Sequence, residues 1–314
     1  MINQPFNSSP AAAVDLGTNT ILMVVGRRRS QRPDDIEILD DAHAIARLGQ
    51  GVDAERRIQP EAINRVCDCL LRYRERAAGA GTTWIRAYGT SALRDATNKR
   101  EFTAAVAVRT GVELVELSGA EEARLTFTGA AFGLDLPERY GVVDIGGGST
   151  ELALGNRDGT VEQSVSVDVG AVRVSERFFP SLPPSPQQAA RAKEMIASVM
   201  AGLFQIPSRI PVVGVAGTVT TLGALDRGTE RFDSAQLDGH LLTRNRVAGL
   251  SDMLLGLGLD EIRAFPQVSE QRADIITAGS LILLRFLEQS GLPAVTVSTR
   301  GIRYGLLQQM LAGE

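Results

Sequence analysis

The sequence predicts an α/β protein of two related domains, each a β-sheet flanked by helices. Three observations carry this. Residues 142–154 read V-V-D-I-G-G-G-S-T-E-L-A-L: an apolar β-branched run, a glycine turn and a second alternating run, hence strand, tight turn, strand. Residues 14–25 read V-D-L-G-T-N-T-I-L-M-V-V, so V-D-aliphatic-G with small polar residues and an apolar run occurs twice, which points to duplication. The order βββαβαβα begins near residue 11 and again after residue 139. A chain of 314 residues that is 44% hydrophobic and 22% charged suits two globular domains with sizeable cores.

In chain order, residues 1–10 hold two prolines and no periodic pattern, and read as a frayed tail. From residue 11 a strand, a turn at 17–19, a strand to 25 and a strand near 36–39 form an antiparallel meander. The tip Arg27-Arg28-Arg29 reads as a solvated charge cluster. Pro60 opens an amphipathic helix to about residue 78, with Ile63, Val66, Leu70 and Tyr73 on one face. A strand at 84–88 ends in G-T-S-A-L-R-D-A, which opens a helix; a strand at 112–117 leads to S-G-A-E-E-A-R-L, a helix with Ser118 as N-cap. In the second half come strands at 141–145, 150–154 and 161–167 and a helix at 171–179. A proline-rich loop at 180–186 and a helix at 187–204 follow. Residues 212–222 read as a buried strand, a Gly-Thr turn and a helix start. A helix at 271–288, a strand at 294–298 and a final helix launched from S-T-R-G-I-R-Y-G-L-L close the chain.

The net charge of −4 excludes a broad nucleic-acid or acidic-lipid surface, so an anionic substrate must be met by local cations and backbone donors. Cys67 and Cys69, the two cysteines, lie two apart on a helix and face different directions, which suits neither a disulfide nor a zinc site. No basic region followed by an apolar segment opens the chain, and no apolar run approaches the roughly 18 residues of a membrane span. The expectation is a cytoplasmic protein without membrane or nucleic-acid partners.

The glycine turn is the candidate site. Gly146, Gly147 and Gly148 let backbone N–H groups converge on an anion, Ser149 and Thr150 add hydroxyls, and Asp144 and Glu151 offer hard oxygens to a divalent cation. The bland alternative is a β-hairpin whose glycines serve the turn alone. The second copy, Gly17, Thr18, Asn19 and Thr20 with Asp15 before it, suggests two facing turns that clamp a phosphate chain and its metal between the domains. Gly217-Thr218 forms a third backbone nest. Arg94, near a helix start, reaches an anion or pairs with Asp95 or another surface carboxylate. Glu121 and Glu122 stand in a first helical turn, where the helix dipole alone explains acids, but a carboxylate facing the turns is also suited to deprotonate water.

These motifs together resemble the exopolyphosphatase and guanosine pentaphosphate phosphohydrolase family, within the actin, sugar kinase and Hsp70-like superfold. They are V-D-L-G-T-N-T, T-S-A-L-R-D-A-x-N, S-G-x-E-E-A-R-L, V-V-D-I-G-G-G-S-T-E-L, D-V-G-A-V-R, V-A-G-T and G-I-R-Y-G-L-L, in order over residues 12–311. The resemblance implies two actin-like (ribonuclease H-like) domains with an active-site cleft between them, in the short form of the family. The implied domains are 11–137, with the C-terminal helix 300–314 packing back on it, and 138–299. It implies Glu122 as catalytic base; Asp144, Glu151 and the weaker Asp15 near Mg²⁺ or Mn²⁺; and Arg94, Arg303 and the loops at 17–20, 146–149 and 217–218 around the phosphates. Two departures stand out: the third nest reads A-G-T, and the last motif carries an extra cation, Arg300, beside Arg303.

The implied activity is metal-dependent hydrolysis of the terminal phosphoanhydride of inorganic polyphosphate, releasing orthophosphate, by direct attack of a Glu122-activated water. The alternatives are guanosine pentaphosphate as substrate, a kinase of the same superfold, and a non-catalytic phosphate sensor. A homodimer stands open beside a monomer.

Overall fold

The structure is a computed structural model that describes residues 9–32, 35–230 and 233–313. Most of the tail expected at 1–10 lies outside the described residues. The chain divides into two compact units. The first holds the described residues up to Ser118 together with those from Ile302; the second is Gly119–Gly301.

The first unit opens with β1 (Ala11–Leu16), β2 (Thr20–Arg28) and β3 (Ile36–Ile45), an antiparallel meander as expected, with β3 longer than its apolar core. Its last residues are held by pairing with Thr20 to Leu22 rather than by hydrophobicity. After the short α1 (Val52–Glu55), α2 (Pro60–Gly79) starts with proline at its first turn and buries Ala62, Val66, Leu70, Tyr73 and Ala77, the helical spacing expected. The parallel strand β4 (Ile85–Gly89) follows, then α3 (Ser91–Asp95), α4 (Lys99–Thr110) and the parallel edge strand β5 (Glu113–Glu116). Buried Asn98 secures this side by donating to the Ile58 carbonyl at 3.0 Å and accepting from its N–H at 2.9 Å. Among the described residues the sheet order is β3-β2-β1-β4-β5. Ala12, Val14 and Leu16 of β1 and Ile21, Met23 and Val25 of β2 face one core with α2 and α4. Cys67 and Cys69 are free and buried in that core, the packing role expected of them.

The next helix, α5 (Gly119–Ala130), packs on the sheet of the second unit. That sheet begins with β6 (Arg139–Ile145), β7 (Thr150–Asn156) and β8 (Val161–Val167), again an antiparallel meander. Helices α6 (Ala171–Phe178) and α7 (Pro186–Met200) follow, α7 being capped by a reciprocal Ser185–Gln188 box. The helix expected at 187–204 stops at Met200, where Gly202 and Leu203 tighten into i→i+3 bonds. Strand β9 (Val212–Val215) lies parallel to β6, and α8 (Ala216–Arg227) and the short α9 (Ser234–Leu237) come next. Then follow β10 (Leu241–Thr243), α10 (Arg244–Leu255) and α11 (Leu259–Arg263). The helix expected at 271–288 is broken. One 3₁₀ turn, Glu270–Arg272, precedes α12 (Ile276–Gln289) because Ile275 leaves helical backbone at φ −120° and the Asp274 carbonyl is diverted to the Ser175 hydroxyl at 2.6 Å. Strand β11 (Ala294–Val297) completes the order β10-β11-β9-β6-β7-β8 among the described residues.

The two sheets therefore repeat one plan, with β1, β2, β3 and β4 matched by β6, β7, β8 and β9. The closing helix α13 (Ile302–Ala312) packs on β1 and β2, with Leu307 seated where Gly26 leaves no room for a side chain. Each half thus ends in a helix that covers the other half's sheet, α5 on the second and α13 on the first. This exchange puts the unit boundary at 118/119, whereas the sequence reading ended the first domain at 137. In the second unit α5 covers Tyr140, Val142 and Ala153, with Phe127 stacked on Tyr140 at 4.4 Å between centroids; α6, α7, α8, α10 and α12 serve the opposite core.

Arg303 and Tyr304 anchor α13. The Arg303 guanidinium donates twice to Asp41 of β3, Nε at 3.1 Å and Nη2 at 3.0 Å, and the Tyr304 hydroxyl donates to the same carboxylate at 2.6 Å. Asp41→Ala takes both of these acceptors from a guanidinium only 8% exposed. The variant should lose about 2 kcal/mol, a figure discounted for the solvent that reaches Asp41; Tyr304→Phe should lose about 1 kcal/mol. Urea titration of both variants checks the order.

Candidate functional site

The two V-D-aliphatic-G turns have the same backbone. In the first unit Gly17 N–H donates to the Thr20 carbonyl at 3.0 Å; in the second Gly146 N–H donates to the Ser149 carbonyl at 3.0 Å. Glycine suits both first positions, since a Cβ would stand a tight 3.0 Å from the Thr20 oxygen in one turn and 3.2 Å from the Ser149 oxygen in the other. Residue by residue, Asp15, Gly17, Thr18, Asn19, Thr20 and Leu22 correspond to Asp144, Gly146, Gly147, Gly148, Ser149 and Glu151. The carbonyls of both turns are tied to the protein behind them. Thr18 O accepts from Gly49 N–H at 2.8 Å and Asn19 O from Ala46 and Arg47 N–H at 3.1 and 3.0 Å, while Gly146 O and Gly147 O accept from the first N–H groups of α6. In a trans peptide the N–H following such a carbonyl points the other way, so each turn presents converging donors on its free side. Asn19 adds a buried Nδ2 with no hydrogen-bond partner, a donor suited to an anion.

The acids of the second unit form a row across its sheet. Asp144 pairs in register with Glu151, and Glu151 with Ser166. Strand alternation puts all three on the α5 face, opposite Val143, Ile145, Leu152, Val165 and Val167. Helix α5 lies along this row. Gly119 abuts Ser166, leaving only 2.8 Å for a Cβ, and Thr126 neighbours Asp144. Glu122 falls between them on the same helical face and is 8% exposed, while Glu121 points to solvent. Burial first, and then the Glu151 charge, push the Asp144 carboxyl up to about 8. Buried Thr126, whose hydroxyl makes no well-formed hydrogen bond, opposes them more weakly. Glu151, 2% exposed, accepts from the Ser166 hydroxyl at 2.6 Å.

Two buried carboxylates side by side fit a divalent cation. Among the described residues no group of three His, Cys, Asp or Glu side chains is placed to hold a metal ion, so the protein would supply these two carboxylates at most. Asp15 differs: its cross-strand neighbour is Leu22, so no second acid stands at the equivalent position.

Arg94, partly buried on α3, donates from Nη1 to the Leu117 carbonyl at 3.1 Å, whereas Asp95 is 3.6 Å from Arg56. The third nest starts α8: Ala216 has φ 67°, and Gly217 is pressed by the Arg272 guanidinium, whose Nη1 lies 1.4 Å from where a Cβ would be. Enclosure lowers the Arg272 pKa to about 10, which leaves it cationic at neutral pH. Thr218 beside it is buried against Gly279. Sequence reading missed Arg272, because S-E-Q-R carries no spacing signal, and Ser166, whose role appears only when β7 and β8 are in register. Arg303, expected at the phosphates, spends Nε and Nη2 on Asp41. Arg300 is likewise engaged, donating to the Phe132 carbonyl at 2.6 Å and lying 3.4 Å from Asp238.

The Ppx/GppA phosphatase family model matches residues 24–314. Exopolyphosphatase 2 of Mycobacterium tuberculosis is 36% identical over 94% of this chain and 96% of its own. Among solved structures, an exopolyphosphatase-like protein has a TM-score of 0.90 at 28% identity, covering 97% of this chain and 99% of that one. The Ppx/GppA family member of Aquifex aeolicus has a TM-score of 0.80 at 26% identity, covering 97% of this chain and 98% of that one. With the duplicated sheet plan and the paired turns, these likenesses show an α/β chain that belongs to the Ppx/GppA phosphatase family.

Proposed function

We propose that the protein is an exopolyphosphatase that hydrolyses the terminal phosphoanhydride bond of inorganic polyphosphate and releases orthophosphate in the cytoplasm. The observation that carries this reading is the inward carboxylate of Glu122 over the Asp144–Glu151 row, beside a turn built to present N–H donors. The Mycobacterium tuberculosis relative, named an exopolyphosphatase, supports the choice of substrate. Among the described residues no helix is long and apolar enough to cross a membrane.

Asp144 and Glu151 would hold Mg²⁺ or Mn²⁺, which would neutralise phosphate oxygens. In the second unit the donors of Gly147, Gly148 and Ser149 and of Gly217-Thr218 take phosphate groups of the substrate, with Arg272 adding positive charge; in the first unit Thr18 to Thr20 and Arg94 offer the same chemistry to a phosphate. Glu122 accepts a proton from water as the water oxygen bonds to the terminal phosphorus. The bridging P–O bond breaks, and the shortened chain leaves with the electron pair as a stabilised phosphate anion. No covalent intermediate is needed. His43 is exposed on β3, and His240 is bonded to Asp226 at 2.8 Å, so neither histidine belongs to a phosphate turn.

Glu122→Gln should lower kcat by at least about 100-fold while substrate still binds, and Glu121→Gln should keep most activity. Steady-state phosphate release at saturating Mg²⁺ distinguishes them; near-normal turnover of Glu122→Gln would sink the base assignment. Glu151→Gln should raise the Mn²⁺ concentration for half-saturation by about tenfold or more, read by direct Mn²⁺ binding as well as by activity. An orthophosphate-release panel of short and long polyphosphates, guanosine pentaphosphate and ATP tests the substrate. Preference for the nucleotide would make the protein a guanosine pentaphosphate phosphohydrolase, and no release from any of them would leave a phosphate sensor.

A further inference from the structure

The D-V-G-A-V-R segment has no part in the chemistry above, yet its arginine lies directly behind the glycine turn. Arg173 is 6% exposed, and its Nε donates to the Gly148 carbonyl at 2.7 Å. Immediately before it, Ala171 N–H donates to Gly146 O at 2.9 Å, Val172 N–H to Gly147 O at 2.9 Å, and Arg173 N–H to Gly147 O at 3.1 Å. The contact is close: a Cβ on Gly170 would stand 2.4 Å from the Gly147 carbonyl carbon. All three glycine carbonyls are therefore turned toward α6, and planar trans peptides turn the N–H groups of Gly147, Gly148 and Ser149 away from it.

The duplicated turn of the first unit shows what is unusual here. Asn19, the counterpart of Gly148, has its carbonyl held by two backbone N–H groups, from Ala46 and Arg47. At Gly148 the bond comes from a side chain. The peptide it steadies joins Gly148 to Ser149, where the glycine has no Cβ to limit rotation. We infer that Arg173 is a positioning residue for phosphate: it fixes the Gly148 carbonyl so that the Ser149 N–H faces the bound anion, and it places a buried positive charge behind the turn. This rests on the reading that the Gly146–Ser149 turn binds phosphate.

The test measures KM for polyphosphate and Ki for inorganic orthophosphate on the full chain, for wild type, Arg173→Met, Arg173→Lys and Ser149→Asp. Arg173→Met keeps an apolar stem and removes donor and charge. It should raise KM and Ki by about tenfold or more while kcat stays within about threefold. Arg173→Lys, which retains charge without the fixed guanidinium fork, should raise both about threefold. A purely structural arginine would lower the melting temperature and leave KM and Ki unchanged, so wild-type constants in folded Arg173→Met overturn the inference. If Arg173→Met does not fold, wild-type constants in Arg173→Lys do the same. Ser149→Asp puts a carboxylate where the anion would sit. If it keeps wild-type KM and Ki, the phosphate reading of the turn fails; if it loses binding while the Arg173 variants do not, only the positioning role fails.

Discussion

Two carboxylates on neighbouring strands, both nearly enclosed, set the terms for the second unit. Asp144 and Glu151 face each other across the β6–β7 pair, and their mutual repulsion in a poorly solvated place is relieved by a proton or a cation. Residues around them serve that arrangement: Ser166 hydrogen-bonds Glu151, Thr126 lies by Asp144, and α5 runs over both. Such a pair stabilises little by itself. Under the proposed function its place in a buried row would serve a divalent cation.

Duplication then explains both the likeness and the difference of the units. The same four-residue turn, carbonyls tied back and donors forward, recurs in each sheet. What diverged is the row beneath it: Asp15 looks across at Leu22 and Asp144 at Glu151, so the same hairpin carries one acid in the first unit and a carboxylate pair in the second. The supports diverged too, with backbone N–H groups from the 46–49 loop in one, and backbone N–H groups of α6 joined by the Arg173 side chain in the other.

Much of the fold was legible because its signals are local. The meanders, the proline-started α2 and the twin glycine turns follow from alternation, spacing and turn chemistry. The break before α12 was not, since Ser175 diverts the Asp274 carbonyl across 99 positions of chain. The site was legible to the same degree. Spacing marked the turns, but it gave Glu121 and Glu122 equal standing as helix-dipole acids; resemblance favoured Glu122, and the packed face of α5 separates them by burial. Arg173, Arg272 and Ser166 act through partners far away in sequence, and Arg300 and Arg303 read as free cations until Asp238 and Asp41 are seen beside them.

The exchange of closing helices bears on how the chain is made. Strands β1 and β2 leave the ribosome before the second unit, but α13, which shields one face of them, leaves after it, with the 183 residues of Gly119–Gly301 between. Contacts of such separation form slowly, and the nascent first sheet exposes an apolar face throughout elongation. The second unit has no such wait, because α5 emerges before the strands it covers. Synthesis from the N-terminus therefore favours completion of the later unit first, and the earlier one closes only after α13 is free of the exit tunnel.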